Sequence, residues 1–257
     1  MKTTLHALVR LGYFAKAVVY LLMGVLAMRV AAGVRGGRIT DQGGALYAVL
    51  AQEWGRAMLI GVAVGLLTYA AFQIWRAATG QHPRIRQTPF GRALTVVRAL
   101  VYGAIGVKAM RLVLGLRGGD SGPEPLVRAA LRWPFGSWVL IAIGLGIAAY
   151  GIVQMLDAIK GKLEPDLDAA TIRSRVGEWA LDVARAGVGA RSVLMVLLAF
   201  GLIRAAVMHR ARAAGGLDAS LTILSALPQG ALLLGAAAAG VFAYGVYQLL
   251  HARYADL

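Results

Sequence analysis

Three cations, three phenols and three amides recur at fixed intervals along this chain, and they are the residues in it best suited to chemistry. Lys16, Arg98 and Arg191 correspond under shifts of 82 and 175 residues. The same shifts carry Arg10 onto Arg92 and Arg185, and Arg29 onto Arg111 and Arg204. Tyr69, Tyr150 and Tyr244 correspond under shifts of 81 and 175, as do Gln73, Gln154 and Gln248. A basic group inside an apolar segment is costly enough to count as a functional hypothesis. Cations joined by phenol and amide hydrogen-bond donors suit an anion such as a lipid phosphate or an organic acid. The same residues also admit a structural reading, in which each cation snorkels to the interface, caps backbone carbonyls or stacks on a tyrosine and so pins its own hairpin. On sequence both readings stay open.

The segments that must position these residues are apolar. Of 257 residues 59% are hydrophobic and 15% charged, and mean hydropathy is +0.67. Soluble globular domains run at about 45 to 50% apolar. The charges are lopsided, 27 Lys and Arg against 12 Asp and Glu for a net +15, and they collect at the ends of apolar runs. A bilayer core of ~30 Å takes about 20 such residues per helix. Six runs qualify: 11–31, 57–77, 94–114, 137–157, 187–207 and 231–251. The chain therefore reads as an all-α integral membrane protein with six transmembrane helices, arranged as three tandem hairpins over 1–80, 81–165 and 166–257. Successive hairpins begin on the same side, so the repeats run parallel, and a pseudo-threefold bundle is the expected packing. Parallel repeats exclude the inverted-repeat layout of many secondary transporters.

Depth along the helices brings the repeated groups together. Lys16 lies six residues beyond Arg10, ~9 Å deeper, and Tyr69 lies seven residues before Arg76, ~10 Å deep from the same face. The cations and phenols are thus expected at one level, with the glutamines nearer the surface. Gly61 with Gly65, Ala142 with Gly146 and Ala236 with Gly240 form small-xxx-small faces that let helices approach closely. Within each hairpin, segments 41–51, 120–131 and 218–227 read as short amphipathic helices lying in the interface, and Gly55, Gly136 and Gly230 mark the break before the next span. They can serve as lids over a vestibule or as elbows covering the hairpin ends.

Gly12-Tyr13-Phe14-Ala15-Lys16, followed by Val18-Val19-Tyr20 and Gly24, resembles the pattern opening each unit of the bacterial domain of unknown function 1206 family. Gly216-Leu217-Asp218, Pro228-Gln229-Gly230 and Ala252-Arg253-Tyr254 are similar to that family's last unit. The resemblance covers nearly the whole chain and implies three copies of a two-helix unit, with no activity to carry over. The third copy has Val188 where the first has Tyr13, and the second has Leu94-Thr95 in place of Gly12-Tyr13.

Other chemistry is thinly represented. The chain has no Cys, which removes disulfide, Cys-metal and thiol redox sites. His6, His82, His209 and His251 lack metal-ligand spacing. The run Gly144-Leu145-Gly146-Ile147-Ala148-Ala149 imitates a dinucleotide fingerprint but sits mid-span with no preceding strand. No Ser, His and acid set converges, so no enzyme, metal or cofactor is expected. The first span reads as retained rather than as a cleaved signal, because its pattern returns in the third and fifth spans. The basic loop 81–92 suits anionic headgroups rather than nucleic acid. Twelve Lys and Arg lie on the side of the termini and eleven opposite, with three of the four inside spans nearer the termini. That bias puts both termini in the cytoplasm of a bacterial plasma membrane. Two functions stand side by side: binding or transport of an anionic lipid or solute, and a non-catalytic structural module packed against a partner membrane protein.

Overall fold

The apolar runs fold as helices longer than the runs themselves, because the polar flanks continue the same backbone hydrogen bonding out of the bilayer. A computed structural model describes residues 2–34, 39, 42–79, 89–116, 124–161, 163 and 169–254. The long helices are α1 (Lys2–Ala31), α3 (Gly55–Thr79), α4 (Pro89–Val113), α6 (Gly136–Ile159), α8 (Glu178–Val207) and α10 (Gly230–Tyr254). At 24 to 30 residues they extend ~36 to 45 Å. Among the described residues, five segments are long and apolar enough to cross a membrane: Arg10–Ala31, Gly55–Thr79, Gly136–Ile159, Glu178–Val207 and Gly230–Tyr254. The remaining long helix, α4, holds Arg92, Arg98, Lys108 and Arg111 by sequence, and several of its side chains lie outside the described residues.

Arg29, Arg76, Arg111 and Arg204 each fall in the last turn of a long helix. A positive charge there complements the partial negative charge of the unsatisfied terminal carbonyls. Three of the four form one of the repeated basic columns, which gives that column a local electrostatic cause.

Short helices lie where the sequence placed them, between the two long helices of each unit: α2 (Gln42–Leu50), α5 (Glu124–Leu131) and α9 (Leu217–Ser225). They bury Leu46 and Val49, Val127, and Leu221 respectively. Each runs almost at once into its long helix, and a glycine makes the corner. A Cβ on Gly55, Gly136 or Gly230 would collide with the carbonyl oxygen of Val49, Ala130 or Ser225, so any other residue must open the elbow. Between the second and third units lies a further short helix, α7 (Ala169–Arg175), which buries Ile172.

The most extensive helix contacts join α1 to α10, α3 to α4 and α6 to α8, followed by α8 with α10 and α1 with α3. Every one of the three strongest pairs unites the second helix of one unit with the first helix of another. Among the described residues no comparable contact joins α4 to α6, so the helices follow one another as α6, α8, α10, α1, α3, α4. Gly12 and Gly187 let α1 and α8 close onto Tyr69 and Tyr244 of their own units, and the equivalent second-unit residue is Leu94.

Glycine also sets the other seams. Gly24 meets the Phe242 backbone and Gly245 meets Leu21, a reciprocal pair across α1 and α10. Gly106 meets Leu67 between α3 and α4, and Gly144 meets Ile203 between α6 and α8. Of the small residues singled out from sequence, Gly65 abuts the Leu11 carbonyl and the Ala15 side chain, and Gly240 abuts Ala190. Among the described residues nothing lies within 4 Å of a Cβ placed on Gly61 or Gly146. Ala142 and Ala236 are exposed. Outward faces are apolar, with Trp138, Val139, Ile143, Leu145, Ile152 and Ile159 all exposed along α6, as a surface facing acyl chains must be.

Candidate functional site

Lys16 sits midway along α1 with 5% of its surface exposed. Its ammonium lies 4.4 Å from the ring centres of Tyr69 on α3 and Tyr102 on α4, and 5.3 Å from that of Tyr13, three residues back on its own helix. The Nζ donates to the Tyr69 hydroxyl at 3.4 Å, and Gln73, one turn along α3, donates to the same oxygen from Nε2 at 3.1 Å. Inserting a cation at the bilayer centre costs about 2.5 to 3.5 kcal/mol on translocon scales. One desolvated cation–π contact returns about 2 kcal/mol. Three ring faces and a hydrogen bond therefore offset the burial of Lys16 without any ligand.

Arg191 is held differently. It is half-buried on α8, its Nη1 donates to Oε1 of Gln154 on α6 at 2.8 Å, and its guanidinium carbon lies 4.9 Å from the ring centre of Tyr244 on α10. Tyr244, Tyr20, Tyr102 and Tyr150 all stand within electrostatic reach of it. A guanidinium carries five N–H donors; among the described residues, the hydrogen bond to Gln154 uses one. No described carboxylate forms an ion pair with Arg191. By sequence α1, α3, α4 and α10 contain no acidic residue at all.

The structure therefore brings Lys16, Tyr69 and Gln73 into direct contact within the first unit. It joins Arg191 to Tyr244 within the third unit and to Gln154 of the second. The Arg98 side chain lies outside the described residues. Gln73 and Gln248 are buried, and among the described residues their Oε1 atoms have no hydrogen-bond partner.

Sequence reasoning passed over the residues that join these two clusters. Ring contacts run from Tyr102 to Tyr69 at 5.4 Å, from Tyr69 to Tyr13 at 5.4 Å, and from Tyr13 to His251 at 4.9 Å. They continue from His251 to Tyr247 at 4.8 Å, from Tyr247 to Tyr244 at 5.6 Å, and from Tyr244 to Tyr20 at 4.8 Å. His251 Nε2 also lies 3.0 Å from the Tyr247 hydroxyl. Tyr20 and Tyr102 correspond under the 82-residue shift, a signal present in the sequence. Tyr247 and His251 have no counterparts of their own type, being matched by Phe72 and Val153 and by Arg76 and Asp157. Arg76, used in sequence as a depth marker, is buried with its guanidinium 5.3 Å from the Phe72 ring.

Chemically, the layer sets a guanidinium beside several phenols, a donor set of the kind that suits an oxyanion. Among the described residues no group of three or more His, Asp or Glu side chains is placed to hold a metal ion. A family model described as Domain of Unknown Function (DUF1206) matches the chain three times, over residues 11–80, 93–161 and 186–255. The uncharacterized protein YxxB of Bacillus subtilis (strain 168) is 30% identical over 247 residues, which span 95% of this chain and 89% of that protein. No solved structure matches.

Proposed function

The chain belongs to the DUF1206 family, and for it we propose a non-catalytic, six-span protein of the bacterial cytoplasmic membrane that binds an oxyanion within its helix bundle. The ligand group is a phosphate or carboxylate, carried by a lipid headgroup or a solute. Arg191 makes the direct contact, the surrounding tyrosines donate hydrogen bonds, and Lys16 and Arg98 supply the positive field. One observation carries the reading: Arg191 is held inside the bundle by a neutral amide and a ring face, with no described carboxylate paired to it. In this reading α4 is the sixth span, and the three equivalent cross-unit helix pairs support a pseudo-threefold arrangement. Both termini face the cytoplasm.

A second reading, a structural module that packs against a partner membrane protein, is favoured by the tyrosine cage, since Lys16 is already satisfied by the protein itself. Thermal unfolding of the detergent-purified protein against inorganic phosphate and a short dicarboxylate separates the two. Oxyanion binding predicts a concentration-dependent rise in Tm that disappears in Arg191→Gln. An unchanged Tm with both probes, or an equal rise in the variant, favours the structural module.

A further inference from the structure

The outer surface between the first and last helices carries a second basic feature, separate from the interior layer. A cleft of about 480 Å³ opens there, lined by Arg10, Leu11 and Phe14 of α1 and by Leu249, Ala252 and Arg253 of α10. Both arginines are exposed, as are Phe14 and Leu249. Because α1 leaves the terminus side and α10 returns to it, the two arginines stand at the same end of the cleft. Phe14 and Leu249 each lie four residues further in, ~6 Å deeper along the helix axis. The cleft is thus cationic at its rim and apolar below, the polarity of a phospholipid lying along the bilayer normal.

We propose that this cleft binds one anionic phospholipid, with its phosphate on Arg10 and Arg253 and an acyl chain along Leu11, Phe14, Leu249 and Ala252. Charge complementarity selects the occupant: two guanidiniums at headgroup depth over an apolar wall match a lipid phosphate with its chain. The repeat shows that the feature is specialised. Arg10 has basic counterparts in Arg92 and Arg185, but Arg253 corresponds to Ala78 and Ile159, and Phe14 to Val96 and Gly189. At the third unit Arg185 is paired with Asp182 at 2.9 Å. The α1–α10 seam therefore gained a second cation and an aromatic wall that the equivalent positions lack. Arg253 also sits in the last turn of α10, where it complements the helix dipole. A dipole role alone explains neither Phe14 nor the cleft beside it.

The test is native mass spectrometry of the full-length protein released from nanodiscs of equal phosphatidylglycerol and phosphatidylcholine. The wild type should retain one phosphatidylglycerol in preference to phosphatidylcholine. The double variant Arg10→Gln/Arg253→Gln should lose about tenfold of that preference. Leu249→Trp, which fills the cleft and leaves the charges in place, should reduce retention as well. In an Arg191→Gln background, which disables the interior site, adding Arg10→Gln/Arg253→Gln should still bring the same loss of preference, which separates this site from the interior one. Unchanged preference in the double variant would overturn the proposal, and so would an equal loss in Arg173→Gln/Arg175→Gln, which removes two exposed arginines of α7 and would indicate diffuse charge attraction only.

Discussion

At the scale of single residues, Lys16 and Arg191 solve one problem in different ways. Lys16 is enclosed by three ring faces, so each face should carry a measurable part of its stabilisation. Tyr102→Leu removes one face from the far side of the α3–α4 seam and should lower stability by ~1 to 2 kcal/mol, read as a lower Tm in detergent. In a Lys16→Met background most of that loss should vanish, because the contact partner is gone. Equal losses in both backgrounds would mean that Tyr102 acts through packing alone. Arg191 has fewer ring contacts and an amide partner, which is why it, rather than Lys16, is assigned the direct ligand contact. The pairing of Lys16 with Tyr69 was legible in sequence, since residue counts from Arg10 and Arg76 gave both the same depth. The aromatic path through His251 and Tyr247 was not, because each occurs once and repeat comparison finds only what recurs.

At the scale of elements, the glycines divide into those that make corners and those that make seams. Gly55, Gly136 and Gly230 belong to the first kind. Replacing any of them by Ala should cost ~1 to 3 kcal/mol, because the new Cβ meets a backbone carbonyl that cannot move independently. Gly61→Ala, with nothing described within 4 Å, should change Tm little or raise it slightly through helix propensity. Thermal melts of these four variants check the assignment, and a destabilised Gly61→Ala alongside a neutral Gly136→Ala would reverse it. The long helices, the short helices and the elbows were legible because apolar run length, amphipathic spacing and Gly or Pro punctuation act locally. The seam partners were less so. A small-residue column says that something approaches closely, without saying what, and Gly12, Gly24, Gly187 and Gly245 proved to be closer-packed than Gly61.

At the scale of the whole molecule, cross-unit pairing means that the hairpins are not independent bodies, and removing one should unfold its neighbours together. Orientation is checked by cysteine labelling, which the Cys-free chain permits without background. With cytoplasmic termini, Ser174→Cys should resist a membrane-impermeant thiol reagent in intact cells and Ser121→Cys should react; the reverse pattern would invert the topology. The central claim, that the repeated cations jointly serve one oxyanion, is tested most directly by native mass spectrometry in lipid-free detergent with inorganic phosphate as the probe. The comparison runs over wild type, Lys16→Gln, Arg98→Gln, Arg191→Gln and the triple variant. Joint binding predicts that Arg191→Gln abolishes the phosphate adduct, that each of the other two weakens it, and that the triple loses no more than Arg191→Gln alone. An identical adduct pattern in wild type and the triple variant would contradict the claim and leave the cations as pins of the fold.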